Sequence, residues 1–409
     1  MLKKIGLFPK LILGIVFGII IGTIGKYTGF VFPVRILTTF SGIFGNFLNF
    51  IIPFIIIGFI VPGISELGSG SGKLLGLTVI IAYASTIFAG ALAFITGKSI
   101  LPHVLKFGQL APKSTLYLEP FFKIEIPPIM GVMTALVTAF MLGLGISYIK
   151  GKSLMNVFHD FQGIVELVVK NVLVPFIPFH ICGIFSKLTA NGEIVSTIKS
   201  FSIVYAMLLI VQVIYLSIQY TIAWVVSGKA PLKSLKNMLP AYLTAVGTQS
   251  SAAAIPFTLK CTKNNKVSEE IANFVIPLCA TIHLAGDTIT ITLSAMAVLM
   301  MSGTIPTFAM MAPFILMLGI TMVAAPGIPG GGIYASLGLL QDMLLFTQPQ
   351  QGIMIALHVS QDSFGTATNI TGDCALAMLI DKIASKYKRN SELVKDINLS
   401  NDGEESLGA

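Results

Sequence analysis

Three stretches of the sequence, Ile36 to Ser65, Leu74 to Gly97 and Ser200 to Gly228, contain no charged residue. Each exceeds the roughly 20 residues that a helix needs to cross a bilayer. Over the 409 positions 54% are hydrophobic and only 11% charged, against about 25% charged in soluble domains. A chain with so little polar surface reads as an all-α, multi-pass membrane protein. The apolar runs predict spans at about 8–29, 38–62, 74–97, 128–149, 160–187 and 199–227. The first is long and lacks a small-residue cleavage site, so it reads as a span and not as a signal peptide.

The net charge of +8 comes from 26 basic and 18 acidic residues. It does not point to nucleic acid, because the basic residues flank apolar runs. Lys3, Lys4, Lys10, Lys150, Lys152, Lys229, Lys233, Lys236, Lys382, Lys386, Lys388 and Arg389 fit cytoplasmic flanks with both termini inside, while Lys26, Arg35 and Lys98 fall on the opposite side. Cys182, Cys261, Cys279 and Cys374 stand singly in or beside apolar segments and read as free thiols. No catalytic triad, metal-ligand spacing or phosphate loop is apparent, so the chain does not read as an enzyme.

After about residue 230 the apolar runs are broken by small and polar clusters. These are Thr248 to Pro256, His283 to Thr288, Ala325 to Gly332 and Asn369 to Asp373. Non-helical backbone at membrane depth is tolerated only where protein buries it or a cavity accepts it. Four breaks in two corresponding pairs therefore point to an internal transport site built from a repeat.

The last break ends a polar stripe. Asp362, Gly365, Thr366, Asn369 and Asp373 fall at i, i+3, i+4, i+7 and i+11, sharing one helix face. A carboxylate at the bilayer centre costs at least about 2.5 kcal/mol. Between Lys266 and Lys382 there is no Lys or Arg, so mobile solutes are the expected counter-charges. Asp362 suits a substrate ammonium, and Asp373 with the amide oxygen of Asn369 offers the oxygen ligands a hard cation prefers.

In order, these motifs resemble the dicarboxylate/amino acid:cation symporter family, which includes the glutamate transporters. The resemblance is strong in the second half and rests in the first half on span layout and Pro127-Pro128-Ile129-Met130-Gly131-Val132. It implies eight transmembrane helices, two re-entrant helical hairpins, a homotrimer in the plasma (inner) membrane, and an elevator mechanism. Residues 1–73 would form scaffold spans one and two, and 74–127 span three of the transport part with its loop. Residues 128–229 would hold spans four and five of the scaffold and six of the transport part, 230–386 the transport core, and 387–409 a disordered cytoplasmic tail.

The resemblance further implies that Ser250 and Ser251 bind the substrate carboxylate, that Asp362 binds its ammonium, and that Gly365, Thr366 and Asn369 line the site. Gly327, Ile328, Pro329 and Gly330 match the gating hairpin tip, with Ile328 and Gly330 touching substrate. Sodium ligands would come from Cys279, Thr281, His283, Asn369 and Asp373, with Tyr83, Thr86 and Asp287 as a modified third site.

Two departures matter. Acidic-substrate members carry an arginine where this chain has Gly365, and some carry another where it has Gln249. Without that bidentate partner a buried substrate carboxylate is disfavoured, so small neutral amino acids such as serine, threonine or alanine are the expected cargo, as in the serine/threonine branch. Gly365 is expected to leave volume for somewhat larger side chains. The family's Asn-Met-Asp-Gly-Thr appears as His283-Leu284-Ala285-Gly286-Asp287, which leaves cation stoichiometry open. His283 reads either as a proton-coupling group or as a packed histidine bonded to a carbonyl. A sodium- or proton-coupled acidic amino acid carrier and an ion channel stay as alternatives. Glu166 and Lys170 read as an i, i+4 pair, and His180 and His358 as structural histidines.

Overall fold

A computed structural model of the chain describes residues 7–68, 72–108, 117–323, 325 and 329–405, with side chains as far as Lys386. Every regular element among them is helical. The expected spans appear as α1 (Leu7–Thr28), α2 (Phe32–Gly68), α3 (Gly72–Val104), α4 (Val132–Ile149), α5 (Lys152–Val168) continuing into α6 (Val174–Ala190), and α7 (Ile194–Ser227). Most outrun the apolar stretches by several residues, because a helix satisfies its own backbone and continues past the hydrocarbon edge. The remaining helices are α8 (Pro231–Thr248), α9 (Ser251–Asn264), α10 (Glu269–Ile282), α11 (Ala285–Met301), α12 (Phe308–Met322), α13 (Gly331–Leu344) and α14 (Gln348–Glu405). The last extends the backbone through residues 387–405, where the sequence reads as a disordered tail.

Six segments among the described residues are long and apolar enough to cross a membrane. One of them, Glu269–Met301, is buried without interruption from Ile282 to Met301. It consists of α10 and α11, interrupted at His283 (φ −118°, ψ 83°) and Leu284 (φ −108°, ψ 54°). Around it pack α3, α7 and α14, and against α14 lie two helical hairpins, α8–α9 and α12–α13. Helices α1, α2, α4, α5 and α6 form a second group, in which small residues allow close approach. A Cβ on Gly18 would lie 2.6 Å from the Cys182 carbonyl, and one on Gly183 2.5 Å from the Leu37 carbonyl.

Between α5 and α6 the chain makes one π-helical turn, Val169–Leu173, just before Pro175 removes a backbone donor. Glu166 precedes this turn and Lys170 lies within it. Both side chains are exposed, and no ion pair joins them among the described residues, contrary to the sequence reading. His180 is structural as expected, with Nδ1 2.9 Å from Ser41 Oγ. The four cysteines are free and buried.

Candidate functional site

The polar stripe of α14 lies against the α10–α11 break. Asn369 closes the break: its Oδ1 accepts the Gly286 N–H at 2.7 Å, and its Nδ2 donates to Asp287 Oδ2 at 2.6 Å. The first turn of α11 has unpaired N–H groups, and one side chain from the neighbouring helix satisfies one of them while anchoring the carboxylate beside it. The close approach depends on glycine. A Cβ on Gly286 would strike the Gly365 carbonyl. A Cβ on Gly365 itself would meet the end of the Gln361 side chain, 3.2 Å from Nε2, with the Gly286 backbone at 3.8 Å, so Gln361 takes part of the volume expected there.

Both hairpin tips converge one turn further up. Gly330, in the left-handed region at φ +75°, donates its N–H to Asp362 Oδ2 at 2.8 Å. At the other tip Gln249, also left-handed at φ 52°, donates from Nε2 to Ser363 Oγ at 2.9 Å. Ser250 caps α9 by accepting the Ala253 N–H, and Ser251 is buried. The short helix that follows directs its N-terminal dipole toward this junction, a setting suited to an anionic group.

One turn further down, Asp373 is fully buried, with Oδ1 2.8 Å from His283 Nδ1. The other ring nitrogen of His283 lies 3.2 Å from Ser85 Oγ and 3.4 Å from the Tyr215 hydroxyl. Gln219 Nε2 donates to both hydroxyls, at 2.8 and 2.7 Å. Asp373 Oδ2 has no hydrogen-bond partner among the described residues. It is therefore the oxygen that a cation would meet. His283 is thus bonded to a carboxylate and two hydroxyls, not to a carbonyl.

The expected sites do not all assemble. Asn369 and Asp373 face the break together. Thr281 is exposed, with its hydroxyl on the Leu278 carbonyl, and the Cys279 carbonyl accepts the His283 N–H. Tyr83 reaches the Leu316 carbonyl and Thr86 the Ala82 carbonyl, whereas Asp287 turns to Asn369 and to His358, whose Nε2 is 2.7 Å from Oδ1. Asp287 therefore joins the polar stripe of α14 through Asn369 and His358. Thr366 is buried on that face, and Ile328, like Gly327, lies outside the described residues.

His358, read from sequence as structural, is a member of the site. Between Lys266 and Lys382 the chain has no Lys or Arg, but His283 and His358 stand in that stretch and each hydrogen-bonds an aspartate. The residues missed were Ser85, Gln212, Tyr215, Gln219 and His358. A signal existed, since Gln212, Tyr215 and Gln219 fall at i, i+3 and i+7 of a charge-free span, one face of a helix. Gln212 meets Gln361 at 2.8 Å, and Gln361 in turn bonds Thr290.

Comparison with known sequences places this geometry. A family model described as the sodium:dicarboxylate symporter family matches residues 7–383. The serine/threonine transporter SstT of Streptococcus thermophilus is 24% identical over 412 aligned residues, covering 95% of this chain and 98% of that protein. SstT of Lacticaseibacillus casei is 23% identical over 390, covering 91% and 87%. Excitatory amino acid transporter 1 of Ambystoma tigrinum is 28% identical over 273 residues, 64% of this chain, which spans about half (49%) of that protein's length.

Proposed function

The chain belongs to the sodium:dicarboxylate symporter family, and on that premise we propose that it carries small neutral amino acids of the serine, threonine and alanine type into the cell together with sodium. It is a multi-pass membrane transporter and not an enzyme. The observation that carries the substrate reading is the absence of any arginine or lysine among the described residues around Asp362. Gly365 is packed on α11, and Gln249 is engaged with Ser363. An acidic side chain entering here would lose its water without gaining a cation. The names of the SstT relatives agree with this, as does their coverage of nearly the whole chain.

In this reading Ser250 and Ser251 bind the substrate carboxylate, Asp362 its ammonium, and Thr366 and Asn369 the remainder of the backbone. The Gly330 tip, already on Asp362, closes over the ligand. Asp373 Oδ2 receives sodium as the co-transported ion. Eight spans, two re-entrant hairpins, a trimer in the plasma membrane and an elevator motion complete the proposal. The motion is supported by the outer start of α14, where Gln348 Nε2 lies 2.5 Å from Asn46 Oδ1 of α2. A cavity of about 920 Å³ opens beside this contact, between the two groups of helices. The His283–Asp373 pair favours one second reading, in which protons replace part of the sodium.

The test is uptake by proteoliposomes of labelled serine, alanine and aspartate under a sodium gradient, a proton gradient, or neither. Sodium-driven uptake of serine or alanine with aspartate excluded is the expected result. Preference for aspartate would refute the substrate reading, and unitary currents without uptake would favour a channel.

A further inference from the structure

We infer that Asp287 selects the substrate side chain, favouring small amino acids that carry a hydrogen-bond donor on Cβ, a hydroxyl or an ammonium, over aliphatic and acidic ones. This rests on the reading of Asp362, Thr366 and Asn369 as substrate-binding residues, and it moves Asp287 from a cation site to the side-chain end of that site.

The placement comes from three contacts. Asp287 is buried in the first turn of α11, its Oδ2 held by Asn369 at 2.6 Å and its Oδ1 by His358 at 2.7 Å. One ligand atom each from Asp287, His358 and Asp362 lie within 4.8 Å of one another. The carboxylate proposed to take the α-ammonium and the Asp287 carboxylate therefore stand within reach of one small molecule. An α-ammonium and a donor on Cβ are joined through only two carbons, so a β-hydroxy or β-amino acid can bridge them.

Glycine lets α13 approach this carboxylate closely. A Cβ on Gly332, at the start of α13, would lie 2.6 Å from Asp287 Oδ1. At Gly332 the backbone of α13 therefore lies directly against the Asp287 carboxylate, with no room for a side chain between them.

The chemistry fixes the sign. A carboxylate presents about four acceptor directions, of which His358 and Asn369 use two. The cluster holds two carboxylates and one imidazole, with no lysine or arginine, so it attracts donors and repels a further carboxylate. A methyl side chain would leave the remaining acceptor directions of Asp287 without water or partner, which is unfavourable in a buried site. His358 acts here as a positioning residue that holds the carboxylate toward the substrate.

The full-length chain in sodium-loaded proteoliposomes provides the test. Exchange of labelled alanine is competed with L-alanine, L-serine, L-2,3-diaminopropionate and L-aspartate. The wild type is expected to show half-inhibition by serine and by diaminopropionate at concentrations about tenfold or more below that of alanine, the ratio a hydrogen bond to a charged group provides, with aspartate ineffective. In Asp287→Asn the serine-to-alanine ratio is expected to fall toward one and the diaminopropionate advantage to vanish. Alanine competing as well as serine in the wild type, with diaminopropionate inert, overturns the inference while leaving neutral amino acid transport intact. An unchanged ratio in Asp287→Asn also overturns it. Absence of any amino acid exchange defeats the transport reading itself and this inference with it. The wild-type series needs no variant, so a misfolded mutant does not block the decision.

Discussion

His283 Nδ1 stands 2.8 Å from Asp373 Oδ1, both side chains fully buried and 90 residues apart in the chain. The imidazole engages one carboxylate oxygen and leaves Oδ2 for a cation. Asp373→Asn is therefore expected to raise the sodium concentration for half-maximal uptake about tenfold or more, equivalent to roughly 1.4 kcal/mol. His283→Asn, which removes the competing imidazole, is expected to lower it. Flux measured against sodium concentration decides, and an unchanged dependence in Asp373→Asn removes that residue from the cation site.

Gly286 and Gly365 let α11 and α14 touch through backbone. Gly286→Ala drives a methyl into the Gly365 carbonyl, and overpacking of this kind costs about 1–3 kcal/mol. Gly365→Ala meets only the end of the flexible Gln361 side chain at 3.2 Å and is expected to cost less. Thermal unfolding in detergent should rank wild type above Gly365→Ala and Gly365→Ala above Gly286→Ala; the reverse order would contradict the close-contact account.

At the second tip, Gly330 combines φ +75° with a Tyr334 ring that a Cβ would approach to 2.9 Å. A non-glycine residue in a strained conformation costs of order 1–3 kcal/mol. Gly330→Ala is expected to weaken the N–H bond to Asp362 and raise the substrate concentration for half-maximal uptake. Wild-type affinity in this variant would show that the tip does not act through Asp362.

The 2.5 Å contact between Gln348 and Asn46 ties α14 to α2. If these helix groups slide past each other during transport, the double variant Asn46→Cys/Gln348→Cys should lose uptake on oxidation and regain it on reduction. Uptake that survives a completed cross-link, verified by gel shift, argues against relative motion at this contact.

Asp381 accepts from the Ser268 N–H at 3.2 Å and its hydroxyl at 2.6 Å, and lies 3.4 Å from Lys229 Nζ. It thereby joins the start of α10, the end of α7 and α14. Asp381→Ala leaves the first turn of α10 uncapped and is expected to lower stability by about 1–2 kcal/mol while the serine-to-alanine preference stays as in the wild type. A changed preference would mean that this joint reaches the site.

Much of the site was legible because helical spacing converts directly into a face. Asp362, Gly365, Thr366, Asn369 and Asp373 read as one stripe, of which Gly365, Asn369 and Asp373 meet the break and Asp362 meets the Gly330 tip. Asp287 was not legible in the same way. Asp287 and residue 285 lie on the same helix, about 200° apart, so the carboxylate does turn away from the face of residue 285, and what it meets there, Asn369 and His358, comes from another helix. The Glu166–Lys170 spacing permits a pair that the described residues do not form.

The sequence by itself determined that this chain lives in a membrane, where its helices must break, and which face of its last span is polar. Those conclusions follow from the cost of burying unpaired backbone or charge, a cost set by local composition. Which group hydrogen-bonds each carboxylate was decided only by the tertiary structure. His283 with Asp373, His358 with Asp287 and Gly330 with Asp362 are joined across 90, 71 and 32 residues. A hydrogen bond forms or fails over a few tenths of an ångström, a distance set by how closely glycines let two helices approach.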